Sequence, residues 1–355
     1  MKLMIMAGGT GGHVYPALAV ADYLRERGHQ VVWMGAPDSF ESRVVPARGI
    51  PMCFVSVSGL RGKGLLRLLR APLQLLRALL QALGALRRER PDAVLGMGGF
   101  AAGPGGLAAW MTRRPLLIHE QNAAPGMTNR WLARLARVVM EAFPQTFDGA
   151  LAVGNPVRRG FVDLPAPSRR LDHDGAPRLL VVGGSQGARA LNERVPQALA
   201  LLSPVERPEV RHQAGRTLEI AQRAYADSGV EASVEGFIDD MPAALGWADL
   251  VICRAGASTI AELAAAGVAS VLVPFPHAVD DHQTRNAEYL LRAGAAALLP
   301  ETDATPAQLA ALLRELLGDR QCLRRMGEAA RAVAWTDATR RIAGACLEAA
   351  GESDS

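Results

Sequence analysis

Apolar residues fall along this chain in short unbroken runs, each followed by a glycine-rich or polar turn and then by a stretch with helical spacing. KLMIMA (2–7), VVWMG (31–35), DAVLGMG (92–98), PLLIHE (115–120), VVMEAF (138–143) and LAVGNPVRRG (151–160) make up a first series. RLLVV (178–182), VRHQAG (210–215), ASVEGF (232–237), DLVIC (249–253) and ASVLVPF (269–275) make up a second. An apolar run without alternation is the pattern of a strand buried on both faces, which implies parallel strands covered by helices. The chain therefore reads as α/β with two successive domains, 1–160 and 178–340. Between them lies a Pro-rich polar linker, FVDLPAPSRRLDHDGAP (161–177), and after them a last helix and a tail (341–355).

The helical stretches are amphipathic with one exception. In LLRLLRAPLQLLRALLQALGALRRER (65–90) the polar residues sit at 67, 70, 74, 77, 81 and 88, one narrow and mostly basic stripe on an otherwise apolar helix, with a kink or restart expected at Pro72. Packing on a sheet is one explanation. The apolar face is wider than that needs, and SGLRGKGLLR (58–67) precedes it, so a membrane-contacting patch around residues 60–80, with Leu75, Leu76 and Leu79 in it, is the expectation.

Composition adds two constraints. Cysteines at 53, 253, 322 and 346 form no CxxC pair, which argues against a disulfide or zinc framework and for a reducing cytoplasm. MKLMIMAGG meets glycines after a run too short for a signal peptide, and arginines interrupt the longest candidate for a membrane span. The net charge of +4 hides an asymmetry: residues 1–160 hold 20 Lys+Arg against 9 Asp+Glu, and the remainder 19 against 26. The first domain is thus expected to face an anionic partner. Its basic residues are not interleaved with aromatics, so a membrane surface fits and nucleic acid does not.

Candidate chemistry clusters where strands end. Gly8, Gly9, Gly11 and Gly12 lead into a helix whose N-terminal N–H groups suit a phosphate, but the G-x-G-x-x-G spacing is absent. His13 closes this turn, either as a general base or as a packing residue. A strand ends in His119, Glu120, Gln121 and Asn122, the usual place for ligands in parallel sheets, and Asn129 lies in the first turn of the next helix. In the second domain Ser185 and Gln186 occupy a corresponding turn. The segment 249–288 aims two helix starts at one place. Glu262, read in the first turn of one of them, suits the two hydroxyls of a ribose, and Gln283 and Asn286 on the next suit sugar hydroxyls. Thr259 and Glu262 also form a capping-box pattern that competes for the carboxylate. Asp172-His173-Asp174 has the form of a metal-binding D-x-D but lies in the linker, so no metal site is expected.

Seven motifs in register, GGTGGHVYPAL, GGFAAGPGGLAA, HEQN, GNPVR, GGSQGA, FIDDM and RAGASTIAELAAAG, give the chain a close resemblance to the MurG family of peptidoglycan synthesis from residue 3 to about 345. The resemblance implies the glycosyltransferase B fold, two Rossmann-like parallel-sheet domains facing across a cleft. It implies inverting transfer of N-acetylglucosamine from UDP-N-acetylglucosamine to the 4-hydroxyl of the N-acetylmuramyl unit of lipid I, giving lipid II, with no cofactor, at the cytoplasmic face of the bacterial inner membrane. Carried onto matching positions, it assigns donor contacts to Thr10, Gly11, Gly12, Asn122, Arg158, Ser185, Ile238, Ala257, Ser258, Thr259, Ile260, Ala261, Glu262 and Gln283. Gln186 and Asn286 join them from the local reading. His13 is the first choice for the base, ahead of His119 and Glu120. The second helix departs from the family pattern, with an extra loop residue before Gln283 and His282 where a glutamine is usual. Three rivals stand: a glycosyltransferase with another acceptor, a UDP-N-acetylglucosamine 2-epimerase, and a non-catalytic nucleotide-sugar binder.

Overall fold

The computed structural model describes residues 1–57 and 65–352, without the side chains of 65–71 and 279. Two compact units emerge, Met1–Pro156 with Asp337–Ser355, and Val157–Thr336.

The first unit holds β1 (Lys2–Met6), β2 (Gln30–Gly35), β3 (Met52–Phe54), β4 (Ala93–Gly96), β5 (Leu116–Glu120), β6 (Val138–Glu141) and β7 (Leu151–Ala152). They form one parallel sheet in the order β3-β2-β1-β4-β5-β6-β7. Alternation along β1 shows how the layers arise. Leu3 and Ile5 point to one face, where they pack with Val14, Leu18 and Leu24 of the Gly11–Glu26 helix and Ile342, Ala343 and Leu347 of the last helix. Met4 and Met6 point to the other, against Ala78, Ala82 and Leu86 of the Leu65–Glu89 helix and Ala108 and Ala109 of the Ala102–Met111 helix. The terminal helix Ala338–Ala350 thus belongs to the first unit, and Glu352 beyond it pairs with the Met1 amino group at 2.8 Å.

The second unit holds β8 (Arg178–Val182), β9 (Glu209–Gln213), β10 (Ser233–Glu235), β11 (Leu250–Cys253), β12 (Ala269–Leu272) and β13 (Ala296–Leu298), parallel in the order β10-β9-β8-β11-β12-β13. Leu179, Val181, Leu250, Ile252, Ala269 and Val271 form the inner face, closed by Leu191, Val195 and Leu199 on one helix and Leu309, Leu313 and Leu317 on another. Residues 161–177, read as a linker, contain a short helix Pro167–Arg170 and are fastened to this unit. Arg170 donates to the carbonyls of Leu245, Ala248, Ala266 and Gly267, and Arg331 donates to those of Val162 and Leu164. Burial, with Arg331 close by, pushes the Arg170 guanidinium down to about 10 while Asp249 pulls it upward. Within the D-x-D pattern His173 faces Asp249 at 3.1 Å, whereas Asp172 and Asp174 are exposed, so the three do not converge.

Several elements differ from expectation. The Leu65–Glu89 helix continues through Pro72 rather than restarting there. Within LAVGNPVRRG, β7 is two residues long, because the chain passes at once into the GNP turn. β3 was not foreseen: of its three residues only Cys53 is buried, so no apolar run announces it. Of the proposed membrane segment, 58–64 lie outside the described residues, as do 353–355 of the tail.

Candidate active site

In each unit the strand order reverses once, between β1 and β4 in the first and between β8 and β11 in the second. Ligands of open parallel sheets sit beyond the carboxyl ends of strands at such a point. Thr10 to His13, Ser185 and Gln186, and Ala257 to Glu262 follow strands at these points, whereas Asn122, Arg158, Ile238, Gln283 and Asn286 follow strands farther out in the two sheets.

In the first unit the chain leaves β1 through Gly8 and Gly9 and enters a helix at Gly11. Thr10 is its N-cap in extended conformation, with its hydroxyl making no cap bond. Thr10 and Gly12 are exposed. The turn is held from behind by Glu41, whose buried carboxylate accepts from the N–H of Gly9 at 3.0 Å and of Ala36 at 3.1 Å. A Cβ on Gly8 would stand 2.4 Å from that carboxylate, so glycine is the residue that fits. A second turn, after β4, lies against the first. Gly99 has φ of +89°, and a Cβ there would come 2.5 Å from the Gly8 carbonyl oxygen. The imidazole of His13 rests on neighbouring Gly98, where a Cβ would stand 2.8 Å from Nδ1.

The end of β5 sorts its polar residues by alternation. Glu120 points one way: it is buried, and its carboxylate accepts from Asn122 N at 3.0 Å, Gly126 N at 3.1 Å and Asn129 Nδ2 at 2.8 Å. His119 and Gln121 point the other way, toward His13. Gln121 Oε1 lies 2.8 Å from His13 Nδ1, Gln121 Nε2 lies 3.0 Å from His119 Nδ1, and His119 Nε2 lies 2.9 Å from the Gly154 carbonyl oxygen. His119 is wholly buried, and burial pushes its pKa down to about 4, with the Gly154 carbonyl opposing and His13 adding to the depression. Both its ring nitrogens are engaged. The geometry therefore separates the three base candidates: His119 and Glu120 are internal and committed, while His13 is half-buried with no partner on Nε2 among the described residues.

In the second unit the turn after β8 carries Ser185 and Gln186, both exposed, three or more residues ahead of the helix Arg189–Ala200. After β11 the helix runs Ala257–Ala266 with Gly256, in extended conformation, as its N-cap and no side-chain cap bond. This corrects two expectations. The Thr259–Glu262 capping box does not form, because the helix begins earlier, and Glu262 lies in the second turn rather than the first. Its half-buried carboxyl accepts no hydrogen bond among the described residues. Burial pushes its pKa up to about 7, against the pull of Arg158, an exposed guanidinium 5.0 Å from the Phe161 ring. Ala257 and Ile260 are buried, Ser258, Thr259 and Ala261 are half-buried, and Ile238 is buried beside exposed Phe237.

The next helix, His282–Arg292, starts as the sequence suggests. Gln283 Oε1 accepts from Phe275 N at 2.8 Å, which leaves its NH₂ outward. Asn286 is fully buried and donates to the Ala255 carbonyl at 3.1 Å, so it fixes the loop entering the Ala257–Ala266 helix. Arg254 ties the same loop to the carbonyls of Val273 and Pro274 and pairs with Glu301. Glu41 and Arg254 are supports of these turns that the sequence reading missed, and Gln121, which it placed in the polar cluster at the end of β5, had no role assigned there. The period of two along β5 already places Gln121 beside His119, whereas nothing near Glu41 in sequence announces its contact with Gly9.

Two family models match the chain, the glycosyltransferase family 28 N-terminal domain over residues 3–141 and the glycosyltransferase family 28 C-terminal domain over residues 178–342. The chain belongs to glycosyltransferase family 28. Its similarity to curated members is high. A UDP-N-acetylglucosamine–N-acetylmuramyl-(pentapeptide) pyrophosphoryl-undecaprenol N-acetylglucosamine transferase of Marinobacter nauticus is 55% identical over 354 residues, covering 98% of both chains. One from Alkalilimnicola ehrlichii is 57% identical over 354 residues and 99% of both. Among solved structures, MurG of Acinetobacter baumannii superposes with a TM-score of 0.87 at 42% identity, over 98% of this chain and 99% of that one. The family 28 chain has the glycosyltransferase B fold. A Listeria monocytogenes structure described as a putative UDP-N-acetylglucosamine 2-epimerase shares the fold alone, at 16% identity and a TM-score of 0.67.

Proposed function

We propose that the protein transfers N-acetylglucosamine from UDP-N-acetylglucosamine to the 4-hydroxyl of the N-acetylmuramyl unit of lipid I, with inversion, to give lipid II. The observation that carries this reading is the end-to-end likeness, above half identity, to transferases named for that reaction. The site geometry supports it. His13 Nε2 removes the proton from the attacking hydroxyl. The oxygen forms its bond to the sugar C1 as the bond from C1 to the diphosphate oxygen breaks, and UDP leaves with the electron pair. The N-terminus of the helix at Ala257, the positive end of its dipole, offers stabilisation for the departing charge. To Thr10, Gly11, Gly12, Asn122, Arg158, Ser185 and Gln186 the reading assigns the diphosphate or sugar, to Ile238 the base, to Glu262 the ribose and to Gln283 the sugar hydroxyls. Asn286 acts behind them, on the Ala255 carbonyl.

The membrane-facing surface is proposed on the helices covering one side of the first sheet. Leu73, Leu75, Leu76 and Leu80 of the Leu65–Glu89 helix are exposed, as are Trp110, Met111, Met127 and Trp131 on the two helices packed in succession beside it. Arg77, Arg113, Arg130 and Arg134 are exposed on the same helices or just beyond them. Leu79, expected in the patch, is turned partly into the core instead. No helix among the described residues is long and apolar enough to cross a membrane. The reading places the enzyme at the cytoplasmic face of the inner membrane, beside its lipid-linked acceptor. The test is UDP release from UDP-N-acetylglucosamine with and without a lipid I analogue. Release that needs the acceptor supports the proposal; epimerisation of donor alone contradicts it.

A further inference from the structure

We propose that Gln121 is a positioning residue that fixes the tautomer of His13, holding its proton on Nδ1 so that Nε2 presents a lone pair to the substrate hydroxyl. The proposal rests on the reading of His13 as the base. A buried chain of hydrogen bonds sets the direction of each proton along it. Gln121 Nε2 lies 3.2 Å from the main-chain carbonyl of its neighbour His119, and a carbonyl only accepts, so this end of the amide is the NH₂. The same NH₂ donates to His119 Nδ1, which must therefore carry a lone pair. The proton of neutral His119 is then on Nε2, where it is given to the Gly154 carbonyl, again an obligate acceptor. Two backbone carbonyls thus set the orientation independently and agree.

The consequence falls on His13. With its NH₂ committed, Gln121 offers Oε1 alone, and at 2.8 Å it can only accept the proton of His13 Nδ1–H. A neutral imidazole left to itself prefers the proton on Nε2, the wrong nitrogen for a base reaching outward from this turn. Which nitrogen is protonated is decided by the hydrogen bond the other makes. Gln121 is buried, and Gly98, with its φ of +95°, removes the side chain that would push the imidazole off this contact. His119 is wholly buried and stays neutral, so its acceptor nitrogen, and with it the amide orientation, persists throughout the neutral range.

The direct test is the ¹⁵N shifts of His13 in the full-length wild type, which separate protonated from unprotonated ring nitrogens. A protonated Nδ1 and unprotonated Nε2 are expected at pH 8; the opposite assignment overturns the proposal. Gln121→Met, nearly isosteric and unable to hydrogen-bond at either end, should lower kcat about 10- to 100-fold with the donor KM changed less than about threefold, and should shift His13 toward Nε2–H. Gln121→Glu keeps an acceptor for Nδ1–H but sets its second oxygen against the His119 carbonyl and Nδ1; it should keep the Nδ1–H form of His13, and an Nε2–H form in this variant overturns the proposal. If His13→Ala abolishes turnover while Gln121→Met alters neither tautomer nor kcat, the positioning role is wrong and the base stands. If His13→Ala keeps turnover within about tenfold, the base reading itself fails. Should Gln121→Met not fold, the wild-type shifts and Gln121→Glu decide.

Discussion

Replacing Glu262 by glutamine should stabilise the second unit at alkaline pH while weakening donor binding. Burial raises the folded-state pKa of this carboxyl to about 7 from an ordinary value of 4.5, and Arg158 only partly offsets it. A carboxyl raised on folding binds its proton more tightly in the native state, so its effect is favourable below the unfolded pKa and is lost as pH rises through the folded one. Above pH 7 the ionised group works against folding by at most about 3 kcal/mol at ~1.4 kcal/mol per pH unit. Glu262 keeps a wet edge, and screening there reduces the figure to about 1–2 kcal/mol. A glutamine in its place cannot ionise, so the variant should melt roughly 2–8 °C higher than wild type at pH 8, and with no advantage at pH 4, by fluorimetric thermal unfolding. The same substitution should raise the donor KM at pH 8 and remove its pH dependence; the wild-type KM should rise about tenfold from pH 8 to pH 6 as the ribose-binding carboxylate is protonated. A variant less stable than wild type at pH 8, or equally shifted at both pH values, would refute the burial argument. An unchanged KM would refute the ribose role.

Other substitutions probe the remaining supports. Gly99→Ala sets a Cβ 2.5 Å from the Gly8 carbonyl and forces alanine to a φ near +89°, so it should cost about 2–3 kcal/mol or more in thermal unfolding and lower kcat by moving both turns. Glu41→Gln leaves one of two backbone N–H groups facing an NH₂, with an expected loss of about 2 kcal/mol, and activity falling more than the change in folded fraction explains. Changing Leu73, Leu76 and Leu80 together to glutamine should reduce co-sedimentation with anionic vesicles at least several-fold without altering turnover of a water-soluble acceptor analogue; unchanged sedimentation would remove the patch from the account.

The layered sheets were legible because strands such as Leu3–Met6 are buried on both faces and must be apolar throughout, and because the glycines at strand ends are required by close backbone contact. What escaped depended on tertiary approach. Glu41 meets Gly9 across 32 residues, and no local pattern encodes that meeting. The capping box at Thr259 was a sound local motif that lost to an earlier start, since Gly256 already supplies the extended N-cap. Four polar residues at the end of β5 pointed to a site, but only the alternation of their directions, together with burial, separates Glu120, which braces its own loop, from His119 and Gln121, which face His13. Leu79 shows the same limit: on a helix apolar nearly all round, the sequence did not say which leucines meet the sheet.

The central claim is transfer with inversion to a lipid-linked muramyl acceptor, and the anomeric configuration of the product tests it most directly. With UDP-N-acetylglucosamine, whose sugar is α-linked, and a lipid I analogue, the new disaccharide should show a β linkage to the muramyl 4-hydroxyl by proton NMR, formed in equal amount with UDP. An α linkage, a linkage to another hydroxyl, or epimerised donor without disaccharide would contradict the account.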